Sequence, residues 1–224
     1  MMAKQFIVVG LGRFGISVAE TLSELGHDVL AIDKDENVIQ DIADKVTHAV
    51  QLDATDEYAL RTLGVRNFDV AVVTIGSNIQ ASIMITLLLK EAGVKYVICK
   101  GQSELHKKVL LKIGADRVVL PEKDMGYRVA HNLVSSNLVD LIELSDDYQI
   151  IEMNAPDSWI GRTIKDLDVR ANYGITILAL RSKTDDINIS PTADVVIPPE
   201  SVIIAVGTNE DLLHLEHTVL ADED

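Results

Sequence analysis

Cysteine is almost absent from this 224-residue chain: Cys99 stands alone, which leaves no disulfide framework and fits a reducing cytoplasm. No run approaches the roughly 18 uninterrupted apolar residues that a membrane-spanning helix needs. Low-complexity tracts are missing too, and with 47% hydrophobic residues disorder is excluded as the main state. Met1-Met2-Ala3-Lys4 runs straight into a strand-like segment without a signal-peptide pattern. Basic charge is in short supply: residues 1–120 carry 13 basic and 15 acidic side chains, residues 121–224 carry 7 and 20, and the whole chain carries −15. Such an acidic second half repels phosphate backbones and anionic lipid, so nucleic acid and direct bilayer insertion are not expected as partners. A globular cytoplasmic protein of one large or two small domains is the expectation.

What is present is an alternation of strand and helix patterns. Phe6–Val9, Val29–Ile32, Ala49–Leu52, Val70–Thr74, Tyr96–Cys99 and Arg117–Leu120 read as six strands. Helices are expected over Gly15–Leu25, Asp35–Val46, a segment capped by Thr55 or Asp56 and ending at Gly64, Ile79–Ala92, and a segment from Ser103 to Gly114. This rhythm implies right-handed crossovers and an α/β fold, a Rossmann-like doubly wound parallel sheet. After Pro121 a helical stretch is expected over Lys123 to about Leu141. A small α+β C-terminal lobe follows, with strands near Gln149–Met153, Thr176–Leu180 and Val202–Val206 and helices near Thr163–Leu167 and Asn209–Leu220. The expected domains are 1–120, 121–144 as crossover helix and linker, and 145–224.

The sharpest motif is Gly10-Leu11-Gly12-Arg13-Phe14-Gly15, lying between a strand and a helix. Gly10 permits the tight turn, Gly12 lets backbone approach a phosphate, and Gly15 allows close helix–strand packing. Helix-start N–H groups then face the anion. Asp33 ends the second strand, with Lys34 after it, and is placed to bind an adenosine ribose while disfavouring a 2′-phosphate. Arg13 inside the loop reads as a phosphate ligand. Other candidates sit at the carboxyl ends of strands: Asp53, Ala54 and Thr55 beside the adenine, Thr74, Ile75 and Gly76 after the fourth strand, and Lys100 for ribose or phosphate. For Asp53, Thr55 and Asn78, helix capping is an equal alternative.

Catalytic chemistry is harder to place. No Lys-Ser/Thr follows the glycine loop, the six histidines form no pair with a nucleophile, and Cys99 reads as a buried thiol. The site reads as one that binds without reacting. An NAD(H)-dependent oxidoreductase is the alternative, opposed by the missing acid or base. Nine of the fourteen residues from Ile79 to Ala92 are apolar, which predicts cover on more than one side of that helix, by a neighbouring subunit in a homo-oligomer or by the 123–141 helix.

Several longer motifs carry a family resemblance: Val9–Gly15, Ile75–Ser82, Lys112–Asp116, Pro121–Met125 and Asp168–Gly174. With them the chain resembles the cytosolic RCK (KTN) regulatory subunits of Ktr-type bacterial potassium transporters, in the TrkA family, over nearly its whole length. The resemblance implies an octameric ring of dimers, peripheral at the inner face of the membrane beneath a potassium-translocating subunit. It implies ATP or ADP as ligand, with NAD(H) in some members, and a gating role without catalysis. Gly10, Gly12 and Gly15 would then hold the phosphates and Asp33 the ribose, with Phe14 also among the cofactor-binding residues, while Arg13 would reach a γ-phosphate, often a neighbouring subunit's. Glu122 matches an acid implicated in binding Mg or Ca; on sequence alone it is an acid at a helix start, which favours the dipole. The C-terminal lobe resembles the TrkA-C type, which implies cyclic di-AMP at Ile164, Arg170, Ile175 and Pro191. The acidic balance of this half opposes an anionic ligand, and Lys165 departs from the apolar residue common in relatives. A free-standing cyclic-dinucleotide receptor is a third reading.

Overall fold

Short runs of aliphatic and β-branched residues build the first sheet: β1 (Gln5–Val9), β2 (Asp28–Asp33), β3 (His48–Gln51), β4 (Val70–Val73), β5 (Tyr96–Lys100) and β6 (Arg117–Val119). In the computed structural model these strands are all parallel and lie in the order β3-β2-β1-β4-β5-β6. The helices between them are α1 (Arg13–Glu24), α2 (Glu36–Ile42), α3 (Glu57–Thr62), α4 (Ile79–Glu91) and α5 (Glu104–Lys112). The structure describes residues 3–134, 138–145, 147–184, 186–215 and 218, and the chain divides into two compact units, residues 1–122 and 123–224.

Successive residues of the central strands serve opposite cores, as a sheet covered on both faces requires. Ile7 and Val9 pack with Ile32, Ile85, Leu89 and Leu110. Val8 packs with Ala19, Ala31, Ile42 and Val72 on the other side. The chain reverses its winding direction between β1 and β4, so their carboxyl ends open a crevice at the point where such sheets bind ligands.

Helix boundaries follow local capping chemistry. Asp35, Asp56, Asn78 and Ser103 accept backbone N–H groups at the starts of α2, α3, α4 and α5. Asp56 thus takes the capping place for which Thr55 was an alternative. The first helix starts at Arg13, two residues earlier than expected, and Gly12 gives it no side-chain cap. The second ends at Ile42, four residues short of the expected Val46. Beyond it the Lys45 amide turns back to the Ile42 carbonyl at 2.9 Å and the Lys45 ammonium pairs with Glu20 at 2.6 Å.

The second unit holds most of α6 (Pro121–Val134), then β7 (Leu138–Glu143), β8 (Tyr148–Asn154), α7 (Ile164–Leu167), α8 (Val169–Tyr173), β9 (Thr176–Arg181), β10 (Ile187–Ile189), β11 (Val202–Thr208) and α9 (Asn209–Leu215). Its sheet runs β10-β9-β11-β8-β7 and every pairing is antiparallel. Met153, Trp159, Ile175, Ile203 and Leu215 form its core.

The helical stretch expected to about Leu141 ends at Val134, and Leu138–Glu143 is a strand, with Ile142 opposite Ile150. The strand wins because it gains a ladder with β8 and sends Leu141 (4% exposed) into the core while Ile142 (50%) faces out. The segment 121–144 is therefore not a helix and linker alone. The strand β10 and the one-turn α8 were not foreseen. Of the helix expected over 209–220, α9 ends at Leu215, and residues 216, 217, 219 and 220 lie outside the described residues.

Candidate functional site

The glycine loop is tied into the sheet before any ligand is considered. Gly10 leaves β1 at φ +94°, a left-handed conformation, and its N–H donates to the Ile32 carbonyl at 2.8 Å. A Cβ there would meet Ile75 Cγ1 at 2.7 Å, and one on Gly15 would overlap the Gly10 carbonyl oxygen. The first and last glycines are therefore demanded by the protein's own packing. Gly12 differs: nothing lies within 4 Å of where its Cβ would be, and φ is −69°. Nothing in the described structure needs a glycine at that position, and the space beside it faces the uncapped start of α1.

Asp33 at the end of β2 faces this loop. Its Oδ2 accepts the Leu11 N–H at 2.6 Å and its Oδ1 accepts the Asp35 N–H at 3.0 Å. Each oxygen retains acceptor capacity for a ribose hydroxyl. The Lys34 side chain is exposed, and its carbonyl accepts Gln51 Nε2 at 3.1 Å. Beyond β3, Asp53 Oδ1 accepts both the N–H (2.9 Å) and the hydroxyl (2.7 Å) of Thr55, which hold its carboxyl below the ordinary range. Ala54 is buried between them. Asn78 accepts the Ala81 N–H at 3.0 Å. For Asp53, Thr55 and Asn78 the local turn and cap bonds are thus formed.

The switch-point residues divide by role. Thr74 is 5% exposed and directs its hydroxyl into the loop, towards the Gly10 carbonyl and, at 3.2 Å, the Val9 carbonyl. Ile75 packs over Gly10, and a Cβ on Gly76 would lie 3.6 Å from Lys100 Nζ. Lys100 pairs with Glu122 Oε1 and sits 5.9 Å from the centroid of the Phe14 ring. Its own side chain is 14% exposed and that of Glu122 72%. The Lys100 hydrogen bond is the chief reason that the Glu122 carboxyl is held below its ordinary value, with Arg13 adding to the effect. Residues from three elements, Arg13 and Phe14, Lys100, and Glu122, therefore meet at one mouth of the crevice. Sequence reasoning placed each near a ligand and missed this convergence, because no spacing links positions 14, 100 and 122. Leu11 was missed as well, since only its backbone N–H takes part.

Among the described residues no group of three or more His, Cys, Asp and Glu side chains is arranged to hold a metal ion. Cys99 is buried and its thiol is pushed up to about 11 by burial, so it stays protonated. His106 is buried too, and burial pushes it below its ordinary value. In the second unit, Arg170 Nη2 lies 3.4 Å from Thr176 Oγ1, beside the fully buried Ile175. The Ile164 and Lys165 amides bond the carbonyls of Val195 and Ala193, which brings Ile164 beside the segment that follows Pro191.

Comparison with known proteins decides the family. Residues 6–121 match the TrkA-N domain and residues 148–219 the TrkA-C domain. Over 219 residues the chain is 48% identical to Ktr system potassium uptake protein C of Bacillus subtilis (strain 168), covering 98% of this chain and 99% of that one. The chain belongs to the Ktr potassium-uptake family. Ktr system potassium uptake protein A of the same organism is 45% identical over 214 residues, 96% of each chain. Among solved structures, the GsuK RCK domain matches with TM-score 0.70 at 17% identity, covering 97% of this chain and 48% of that one. The GsuK channel bound to NAD matches at TM-score 0.68 and 17% identity, covering 97% of this chain and 39% of that one. The fold is thus the RCK fold, and this Ktr-family chain spans less than half of each of those two chains. Among the described residues no helix is long and apolar enough to cross a membrane.

Proposed function

We propose that this Ktr-family chain is a non-enzymatic adenine-nucleotide sensor, the regulatory subunit of a potassium-uptake system. The observation that carries the reading is the start of α1 at Gly12, which has no side-chain cap and, among the described residues, no atom within 4 Å of where a Cβ would be, next to the Leu11 N–H that donates to the Asp33 carboxylate. Phosphates would lie against the loop and the helix start, and the ribose against Asp33. An acid at that place repels a 2′-phosphate, so ATP, ADP and NAD(H) are the ligands proposed and NADP(H) is not. The GsuK channel bound to NAD lends the NAD(H) option support through its shared fold.

Arg13 begins α1 with an exposed side chain, so it is available to a γ-phosphate in this subunit or a neighbouring one. A γ-phosphate adds charge that such an arginine neutralises, and ATP and ADP then favour different subunit separations. The half-exposed apolar side chains of α4, Ile79, Met84 and Leu87, supply a face for those contacts. On this reading a ring of dimers changes shape with the nucleotide and gates potassium flux through a membrane partner. Glu122 would join a divalent cation, Mg or Ca, with ligands from outside this subunit. Cyclic di-AMP would occupy the C-terminal lobe near Ile164, Arg170, Ile175 and Pro191.

Titration calorimetry with ATP and ADP, followed by potassium flux through vesicles holding the membrane partner, tests the whole reading. Binding of both nucleotides with flux raised by ATP is the expected result. Absence of adenylate binding, or sustained NADH turnover, overturns it.

A further inference from the structure

We propose that Thr74 is a positioning residue for bound phosphate, acting through the peptide group between Gly10 and Leu11. The inference rests on the nucleotide reading above and deepens it. Thr74 follows β4 as a buried polar residue at the end of an apolar strand. Its hydroxyl donates to the Gly10 carbonyl, and its N–H donates to the Val9 carbonyl at 2.9 Å. A threonine hydroxyl carries a single proton, which the shorter contact takes, so the 3.2 Å approach to Val9 is secondary. The same oxygen would lie 2.6 Å from a Cβ on Gly15 and 3.3 Å from one on Gly10, wedged between the first and last glycines of the loop.

On the other side of this peptide group, the Leu11 N–H donates to Asp33 Oδ2 at 2.6 Å. The Gly10 carbonyl and the Leu11 N–H belong to one planar unit. It is therefore gripped at both ends, by a donor from the end of β4 and an acceptor from the end of β2. Turning the plane over would set its carbonyl against the Asp33 carboxylate, two acceptors face to face, and would lose the bond that the Thr74 hydroxyl donates. The two partners together favour the observed orientation, and the path of the chain from Gly10 to Gly12 follows from it. Thr74 commits its proton to the loop and therefore donates nothing to a ligand; it preorganises the backbone on which the phosphates rest. Asp33 shares the grip, and because it also faces the ribose its removal harms both parts of the ligand.

The test is titration of ATP, ADP and adenosine into the full chain as wild type, Thr74→Ser, Thr74→Ala and Thr74→Val, with thermal melts alongside. Serine keeps the donor and is expected to bind all three as wild type does. Alanine and valine are expected to lower ATP and ADP affinity about tenfold, the scale of one lost buried hydrogen bond, and to leave adenosine affinity unchanged. Asp33→Asn is expected to weaken adenosine as well. Thr74→Ala that binds ATP like wild type overturns the proposal, and so does a folded variant that loses ATP and adenosine equally. Should valine prevent folding, the alanine and serine pair decides alone. A wild-type chain that binds no adenylate overturns the nucleotide reading instead, so the two failures are distinguishable.

Discussion

At the scale of single residues, the three glycines of the loop do different work and their variants separate accordingly. Gly15→Ala forces a methyl into the Gly10 carbonyl, and overpacking of this kind is expected to cost about 3 kcal/mol in thermal or urea unfolding. Gly12→Ala meets nothing within 4 Å, so it should cost about 1 kcal/mol or less, through the weaker N-cap preference of alanine. Its methyl stands where a phosphate would approach, and calorimetry should show ATP affinity reduced at least about tenfold, one lost charge-assisted contact. Arg13→Ala tests the γ-phosphate role: ADP affinity is retained while the preference for ATP disappears. Equal ATP/ADP discrimination in variant and wild type would refute that role. The glycine pattern was readable because steric need leaves a fixed spacing behind. The meeting of Phe14, Lys100 and Glu122 was not, because it is produced by β5 and α6 arriving from distant parts of the chain.

At the scale of elements, the join between α5 and β6 carries a pH signature. Burial alone would raise the Asp116 carboxyl, but the Val97 N–H at 2.7 Å and the Lys90 ammonium at 2.9 Å outweigh it and hold the group below its ordinary 3.8. A depressed carboxyl in the folded state stabilises the protein above pH 3.8, and that contribution disappears as the pH falls through the folded value. Asp116→Asn should therefore melt lower than wild type at pH 7, with the gap closing as melts are repeated down to about pH 2. A gap that does not change with pH would show that the ionisation of Asp116 is not the source of the stability. The elements themselves were legible wherever a periodic run was bounded by a cap or a glycine, as at Asn78 and Gly93 around α4. They were less legible in the second unit. Leu138–Glu143 is apolar enough for either helix or strand, and only its pairing with β8 distinguishes the two.

For the whole molecule, two compact units with separate cores predict two responses to ligand. ATP at 100 times its dissociation constant should stabilise the first unit by about 2.7 kcal/mol, and calorimetric scans should show only one of two transitions moving. Cyclic di-AMP should move the other. A single transition that shifts with either ligand would mean the units unfold together.

The residue order by itself determined the alternation of strands and helices, the parallel sheet, the glycine loop with its acid, and the break in character after Pro121. All of these are local signals: periodicity, capping and steric need act over a few neighbouring positions. The tertiary structure alone decided that Thr74 and Asp33 grip opposite ends of one peptide group, that Lys100 bridges Phe14 and Glu122, and that β7 is a strand. The first two depend on the relative height at which distant strands end in their sheet and the third on pairing with β8, and no short stretch of chain sets either of these.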